Sequence, residues 1–274
     1  MVVKMEPTIS RRVRPKTVAQ IAAEWDTLAS DRLRQIDTGI DSTYNNVLAP
    51  AMIDVCTTST ASRVLDVGCG VGRLTRELAR YYDNVVGIDP SRISIETAQA
   101  HNSAKNIRYV HASVEELSLG SPGKFGLVVA NMSLMATPSL ETALASIARL
   151  LTIGGQLTLS VPHPCFWPLH RGFANQPWFD YKCEMFIESA FSLSSETLKT
   201  ASTYIHRPLA RYIQVLSQNG FILLSLEELS LPLRESTSTV GTIDQPKFLL
   251  ATAKLPGSGE RKNALSGELA SSIS

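Results

Sequence analysis

The sequence predicts an α/β fold, a mostly parallel sheet with helices on both faces. Three observations carry that expectation. Residues 63–72, RVLDVGCGVG, form a short apolar run broken by glycines at 68, 70 and 72, after which Leu74, Leu78 and Tyr81 resume at a helical period. A second apolar run, 85–88, ends at Asp89. From there strand-like and helix-like segments alternate to residue 253, the order that builds βαβ units.

A strand that turns through glycines into a helix N-terminus brings a ligand against bare main chain, because glycine has no Cβ in the way. A carboxylate closing the next strand can accept the hydroxyls of a ribose. The spacing narrows the ligand. The dinucleotide fingerprint G-x-G-x-x-G seats a pyrophosphate. Here the third glycine comes one residue early, and Asp66 precedes the first by two. An acid there repels a pyrophosphate and suits a ligand with a cationic amino-acid end.

At these residues the chain resembles the class I S-adenosylmethionine-dependent methyltransferases, and within them the small-molecule enzymes of the type 11, ubiquinone–menaquinone-like group. Asp66, Gly68, Gly70 and Gly72 match the class's acid-x-Gly-x-Gly-x-Gly motif, and Asp89 matches the acid that closes its second strand. The resemblance covers roughly 60–161, with weaker echoes to about 254. It implies a Rossmann-like, seven-stranded, mostly parallel sheet whose last strand is antiparallel and lies between the fifth and sixth. It also implies a helical lid before the sheet, S-adenosylmethionine as cofactor and S-adenosylhomocysteine as product.

Composition sets outer bounds. The 274-residue chain is 44% hydrophobic, and Lys+Arg 26 against Asp+Glu 25 leaves a net charge of +1. That balance disfavours a nucleic-acid substrate. A basic run of Arg11, Arg12, Arg14 and Lys16 reads as a solvated, frayed arm. No stretch has the apolar length of a membrane span, and no signal-peptide pattern follows the basic residues. The cysteines Cys56, Cys69, Cys165 and Cys183 form no C-x-x-C pair, and reduced thiols in a cytoplasmic protein are the simple expectation. No metal site is expected.

Before the glycine turn, Ile21, Trp25, Leu28, Leu33 and Ile36 give one apolar helical face, with Gly39 as its stop. A second helix is expected over 42–56, broken or begun by Pro50. By the resemblance this region, 1–56, is an arm and lid over the cofactor. Trp25 then becomes a substrate-wall candidate and Tyr44 a cofactor contact, against the plainer reading that both only pack the helices. After the turn, Ser91 caps a helix to about residue 101, and a third strand covers 107–110. By the resemblance Cys69, Pro90, Ser113 and Val114 also meet the cofactor. Ser113 stands where the class usually has Asp. A fourth strand, 125–130, delivers Asn131 and Met132 toward the methionine end. The sequence there is not the [DN]PP[YF] of enzymes that methylate nucleic-acid bases. Thr137-Pro138 is expected to open the next helix, and Gly154-Gly155 to turn into a fifth strand at 156–161.

The fifth strand runs into VPHPCFWPLHRGFANQPWFDY, 161–181. In open α/β sheets ligands sit beyond the carboxyl ends of strands. An aromatic segment emerging there can enclose a flat or apolar acceptor, with Phe166, Trp167, Phe173, Trp178 and Phe179 as candidate walls. A hydrophobic plug or a dimer interface is the rival reading. His163, directly after the strand, is the leading candidate base, with His170 and His206 as weaker ones. The expected plan is therefore an arm and lid (1–56), a cofactor core (57–161), a substrate cap (162–206), completion of the core (207–255) and a disordered tail (256–274). Strands are expected near 221–226 and 247–253, with a helix between 208 and 219 before the first.

The function expected is methyl transfer to an O, N or C atom of a small, partly apolar or aromatic metabolite, of the kind met in natural-product metabolism. A homo-oligomer could form through the lid helices or the aromatic cap. The alternatives are a nicotinamide-dependent oxidoreductase, for which the glycine spacing and Asp66 are wrong, and a non-catalytic cofactor-binding regulator.

Overall fold

The computed structural model describes residues 10–193, 195–230 and 245–257. The chain opens with strand β1 (Arg11–Val13) and helix α1 (Val18–Asp37). Thr17 caps α1 through a reciprocal pair with Gln20, and Gly39 (φ +76°) lets the chain leave it. A π-helical turn (Tyr44–Leu48) leads into α2 (Ala49–Cys56), where Pro50 lies in the first turn and begins the helix rather than breaking it.

The core follows as β2 (Arg63–Val67), α3 (Arg73–Leu78), β3 (Asn84–Asp89), α4 (Arg92–His101), β4 (Ile107–His111), α5 (Val114–Leu119), β5 (Phe125–Asn131), α6 (Leu140–Leu150) and β6 (Leu151–Pro162). After an insertion come α8 (Leu209–Gln218), β9 (Ile222–Leu229) and β10 (Phe248–Lys254). The sheet order is β4-β3-β2-β5-β6-β10-β9, and only β10 runs antiparallel to its neighbours. This is the expected seven-stranded arrangement. The strands read as continuous apolar runs because both faces are covered. Leu65 and Val67 pack with α5, α6 and α8 through Leu117, Leu144 and Leu216, while Val64 packs with α2 and α3 through Met52, Leu74 and Leu78.

Two local expectations shift. Tyr82 rather than Tyr81 turns inward, its hydroxyl donating to the Cys56 carbonyl, while Tyr81 is exposed. Ser139, not Thr137, caps α6, with its hydroxyl accepting from Thr142 N at 3.3 Å.

The insertion differs more. Between a one-turn helix α7 (Trp167–His170) and α8, the chain forms a hairpin of β7 (Met185–Ser192) and β8 (Thr197–His206). β1 pairs antiparallel with β7, so the N-terminal basic run is the edge of a three-stranded sheet and not a frayed arm. Two of its charges are matched from a distance. Arg11 meets Glu188 at 2.5 Å, and Lys16 bridges Glu24 and Glu188 at 2.5 and 2.6 Å. Glu24 in turn accepts from Thr203 N (2.7 Å), which pins α1 to β8. At the other end of α1, Arg34 and Gln35 both reach Glu196 beside the hairpin tip. The lid helix and the inserted sheet are thereby one roof. Ala29, Ile36 and Val71 pack together beneath it, over the glycine turn. The expected Ser- and Thr-rich loop at 232–246 falls largely outside the described residues, as does the tail from 258.

Candidate active site

The glycine turn joins β2 to α3 under the roof. Gly68 N and Cys69 N both donate to Ile88 O (2.8 and 2.9 Å), which locks the turn to the end of β3. Gly68, Gly70 and Gly72 all have positive φ, from +53° to +81°. Their surroundings differ. A Cβ on Gly68 would stand 2.4 Å from Ser133 Cβ, and one on Gly72 would stand 2.5 Å from the Tyr109 hydroxyl. A Cβ on Gly70 would meet nothing within 4 Å. The outer glycines permit close packing of protein on protein, and the middle one keeps a cavity open.

Asp89 lies at the rim of that cavity. Its Oδ2 accepts from Gly70 N (2.9 Å) and its Oδ1 from Ser91 N (2.7 Å). Each carboxylate oxygen keeps a further lone pair for a ligand hydroxyl. Asp66, buried at the end of β2, accepts from the Thr75 hydroxyl at 2.6 Å. Burial pushes its carboxyl up to about 7, against the Thr75 hydrogen bond. Burial also raises Asp89, to about 6, although the Ser91 and Gly70 amides favour its charged form.

The cavity encloses about 490 Å³, within the range of small-molecule sites. All the expected cofactor residues except Gly72 line it: Tyr44, Asp66, Gly68, Cys69, Gly70, Asp89, Pro90, Ser113, Val114, Asn131 and Met132. Ser113 is also the N-cap of α5, where it exchanges hydrogen bonds with Glu116, so its main-chain N–H is already used. Met132 holds φ +53°, fixed by its N–H donating to Ser160 O (3.0 Å) and to Ser160 Oγ (3.1 Å). A non-glycine residue held in that region beside a cavity is strained, as functional sites often are.

The candidate bases separate. His163 is buried and does not line the cavity. Its Nδ1 accepts from Cys165 N (3.2 Å), so Nε2 carries the proton and donates to Glu228 at 2.8 Å. Both ring nitrogens are spent on structure. His206 ends β8. It is also buried away from the cavity, with Nε2 on the Tyr181 carbonyl (3.0 Å) and a ring of Phe179, Tyr181 and Tyr204 around it. His170 alone of the three lines the cavity.

The aromatic segment divides likewise. Trp167 faces the cavity, as does Trp25, whose ring sits edge-on to Phe191 at 5.8 Å. Phe173, Trp178 and Phe179 instead stack on one another with Met185 and Ile187 in a separate core, and Phe166 lies on His163 at 4.7 Å. The hairpin offers Phe173, Trp178 and Phe179 an apolar floor through Met185 and Ile187. In their place Phe191, Tyr204 and Phe248 complete the wall, with Arg171 and Lys247 beside them. Strand alternation in 189–191 and 202–204, together with the i, i+3, i+4 spacing of Trp167, His170 and Arg171, was the available signal.

Residues 64–155 match the methyltransferase-domain family. The sheet order and the glycine cradle are those of the class I S-adenosylmethionine-dependent methyltransferase fold. Among curated relatives it is 37% identical over 117 residues to a ubiquinone biosynthesis O-methyltransferase of Dechloromonas aromatica, covering 42% of this chain and 50% of that one. It is 39% identical over 103 residues to the human mitochondrial ubiquinone biosynthesis O-methyltransferase, covering 36% of this chain and 28% of that one. The matched stretch thus spans half or less of these relatives' length. Among solved structures, a Burkholderia thailandensis 1,6-didemethyltoxoflavin N1-methyltransferase is similar with TM-score 0.58 and 19% identity, over 91% of this chain and 95% of that one. A Clostridium acetobutylicum S-adenosylmethionine-dependent methyltransferase has TM-score 0.59 at 15% identity, over 83% and 99%.

The residues present fit that cofactor. The open face of Gly70 leaves room for it, Asp89 can take ribose hydroxyls, and Asp66 suits its ammonium end. The raised carboxyls carry a pH prediction. The ligand-free fold keeps protons that the unfolded chain has lost between 3.8 and about 7, so its stability falls as pH rises through that window. Hydroxyls bound at Asp89 favour its charged form. Affinity for S-adenosylhomocysteine should therefore weaken below about pH 6, with protons released on binding there. Calorimetry in buffers of different ionisation heat measures both.

Proposed function

We propose that the chain is an S-adenosylmethionine-dependent methyltransferase acting on an O, N or C atom of a small, partly apolar or aromatic metabolite, of the kind made in specialised metabolism. The observation that carries this is the continuity of the cavity from Gly70 and Asp89 into a chamber walled by Trp25, Trp167, Tyr204, Phe191 and Phe248. A cavity of about 490 Å³ has room for a small metabolite. A ubiquinone biosynthesis O-methyltransferase and a toxoflavin N1-methyltransferase among the similar proteins accord with a small acceptor.

When bound, the cofactor supplies a methyl group already made electrophilic by its sulfonium. The chain then has to align an acceptor and keep water out. The roof of α1 and the hairpin serves the second task. For a hydroxyl or amine acceptor, His170 is the residue to take the proton. Burial and the charge of Lys247 depress its basicity, against hydrogen bonds to the backbone at Pro246 and Gln245, so it is neutral and able to accept at pH 7. A carbon acceptor would not need it.

The test is calorimetry followed by an acceptor screen with labelled methyl donor. Affinity for S-adenosylhomocysteine and none for NAD supports the reading, and the converse rejects it. Binding without any transfer would leave a regulator. Asp89→Ala should weaken S-adenosylhomocysteine by about 1–3 kcal/mol, since ribose hydroxyls lose a charged acceptor. Unchanged affinity would remove Asp89 from the site. With an oxygen or nitrogen acceptor in hand, His170→Ala should slow transfer roughly 10²-fold. His163→Gln should leave the rate within a few-fold, and the reverse ranking would restore His163.

A further inference from the structure

The cavity lining carries both signs of charge. Its carboxylates, Asp66, Asp89, Asp41 and Glu115, lie on the glycine-turn side, on β2, β3, α5 and the lid loop. On the opposite wall stand Arg171 and Lys247. Two further cations of the lining are matched by carboxylates: Arg32 holds Asp41 at 2.8 Å and Arg73 holds Asp37 at 3.1 Å. Arg171 differs. Its Nη2 donates to two neutral groups, Ser189 Oγ (2.9 Å) and Ala190 O (3.1 Å), and no carboxylate pairs with it among the described residues. The nearest acid in the sequence of β7, Glu188, is committed to Arg11 and Lys16. The guanidinium stands 5.6 Å from the Trp167 ring, and partial burial lowers its pKa. Such a group is costly unless a ligand supplies the missing charge.

We infer that this wall receives an acidic group: the acceptor carries a carboxylate, held by Arg171 with Lys247 beside it, and rests its apolar body on Trp167, Tyr204 and Phe248. This rests on the methyltransferase reading and names its substrate class. Arg171 keeps Nε and Nη1 unengaged by the described residues, so either can donate to a carboxylate oxygen while Nη2 stays on its two neutral acceptors. Trp167 lies 6.4 Å from Tyr204 and 6.0 Å from Phe248, a floor for a flat ring.

The test titrates S-adenosylhomocysteine-saturated protein with hydroxylated benzoates and their primary amides. Carboxylates should bind at least about tenfold more tightly than the matched amides. Arg171→Gln should reduce that preference below about twofold, whereas Ser189→Ala, which removes the same cap hydrogen bond but keeps the charge, should preserve it. Wild-type protein that favours no carboxylate over its amide overturns the inference, as does Ser189→Ala losing as much as Arg171→Gln. Failure to bind S-adenosylhomocysteine at all is a different result and removes the methyltransferase reading itself.

Discussion

Gly70→Val is expected to abolish S-adenosylhomocysteine binding in a protein that still folds. The added Cβ meets no protein atom within 4 Å, so the branched side chain projects into the cavity and not into the core. The backbone cost is real, because φ is +53° and valine is poorly suited to that region. It amounts to about 1–3 kcal/mol. The turn has other anchors, since Gly68 N and Cys69 N remain on Ile88 O and Asp89 remains on Ser91 N. A domain with a stability of about 5–15 kcal/mol absorbs that cost. Gly68→Ala should behave in the opposite way, because its Cβ strikes Ser133 Cβ and loosens the junction between β2 and β5. The paired measurements are a thermal melt and a calorimetric titration for each variant. A Gly70→Val protein that binds within threefold of wild type would mean that the ligand lies elsewhere.

That contrast among the glycines was only half legible in the sequence. The motif and its acid at Asp89 are local, separated by one helix, so spacing alone set them in one crevice. The sheet was legible for the same reason, since each βαβ unit is closed by residues near each other in the chain. The roof was not. Glu188 holds β1 through Arg11, a partner 177 positions away, and Glu196 holds Arg34 from 162 positions away. No window on the basic run reveals those counter-charges, so four cations in six residues read as a solvated arm. The setting of His163 was hidden for a related reason. Its place after a strand of the core was readable, but its role was decided by Glu228 on β9, 65 residues on. The aromatic stretch announced burial without saying against what. Phe173, Trp178 and Phe179 found each other, while Trp167 found the cavity.

Replacing Arg207 with methionine should cost about 3–5 kcal/mol, the scale for stripping one partner from a buried ionic network. Its side chain is wholly buried where β8 ends, before α8. It donates to Glu184 Oε2 (2.7 Å) and to three carbonyls, Leu134 O (3.0 Å), Thr137 O (2.7 Å) and Pro138 O (3.2 Å). Those carbonyls belong to the segment after β5 that carries Met135, Thr137 and Pro138 along the cavity. Methionine fills similar space but removes the donor from the Thr137 and Pro138 oxygens and leaves Leu134 O with Thr137 N alone. Glu184 is partly exposed and can rehydrate, so Glu184→Gln should cost only about 1 kcal/mol or less. The expected ranking separates two accounts of the residue. If the ion pair mattered most, the two variants would melt together. If the carbonyls matter most, Arg207→Met should melt on the order of 10 °C lower and Glu184→Gln close to wild type. The loosened segment would also widen the cavity wall, so Arg207→Met should raise the KM of the acceptor at temperatures where it is still folded. An unchanged KM would confine Arg207 to holding the fold.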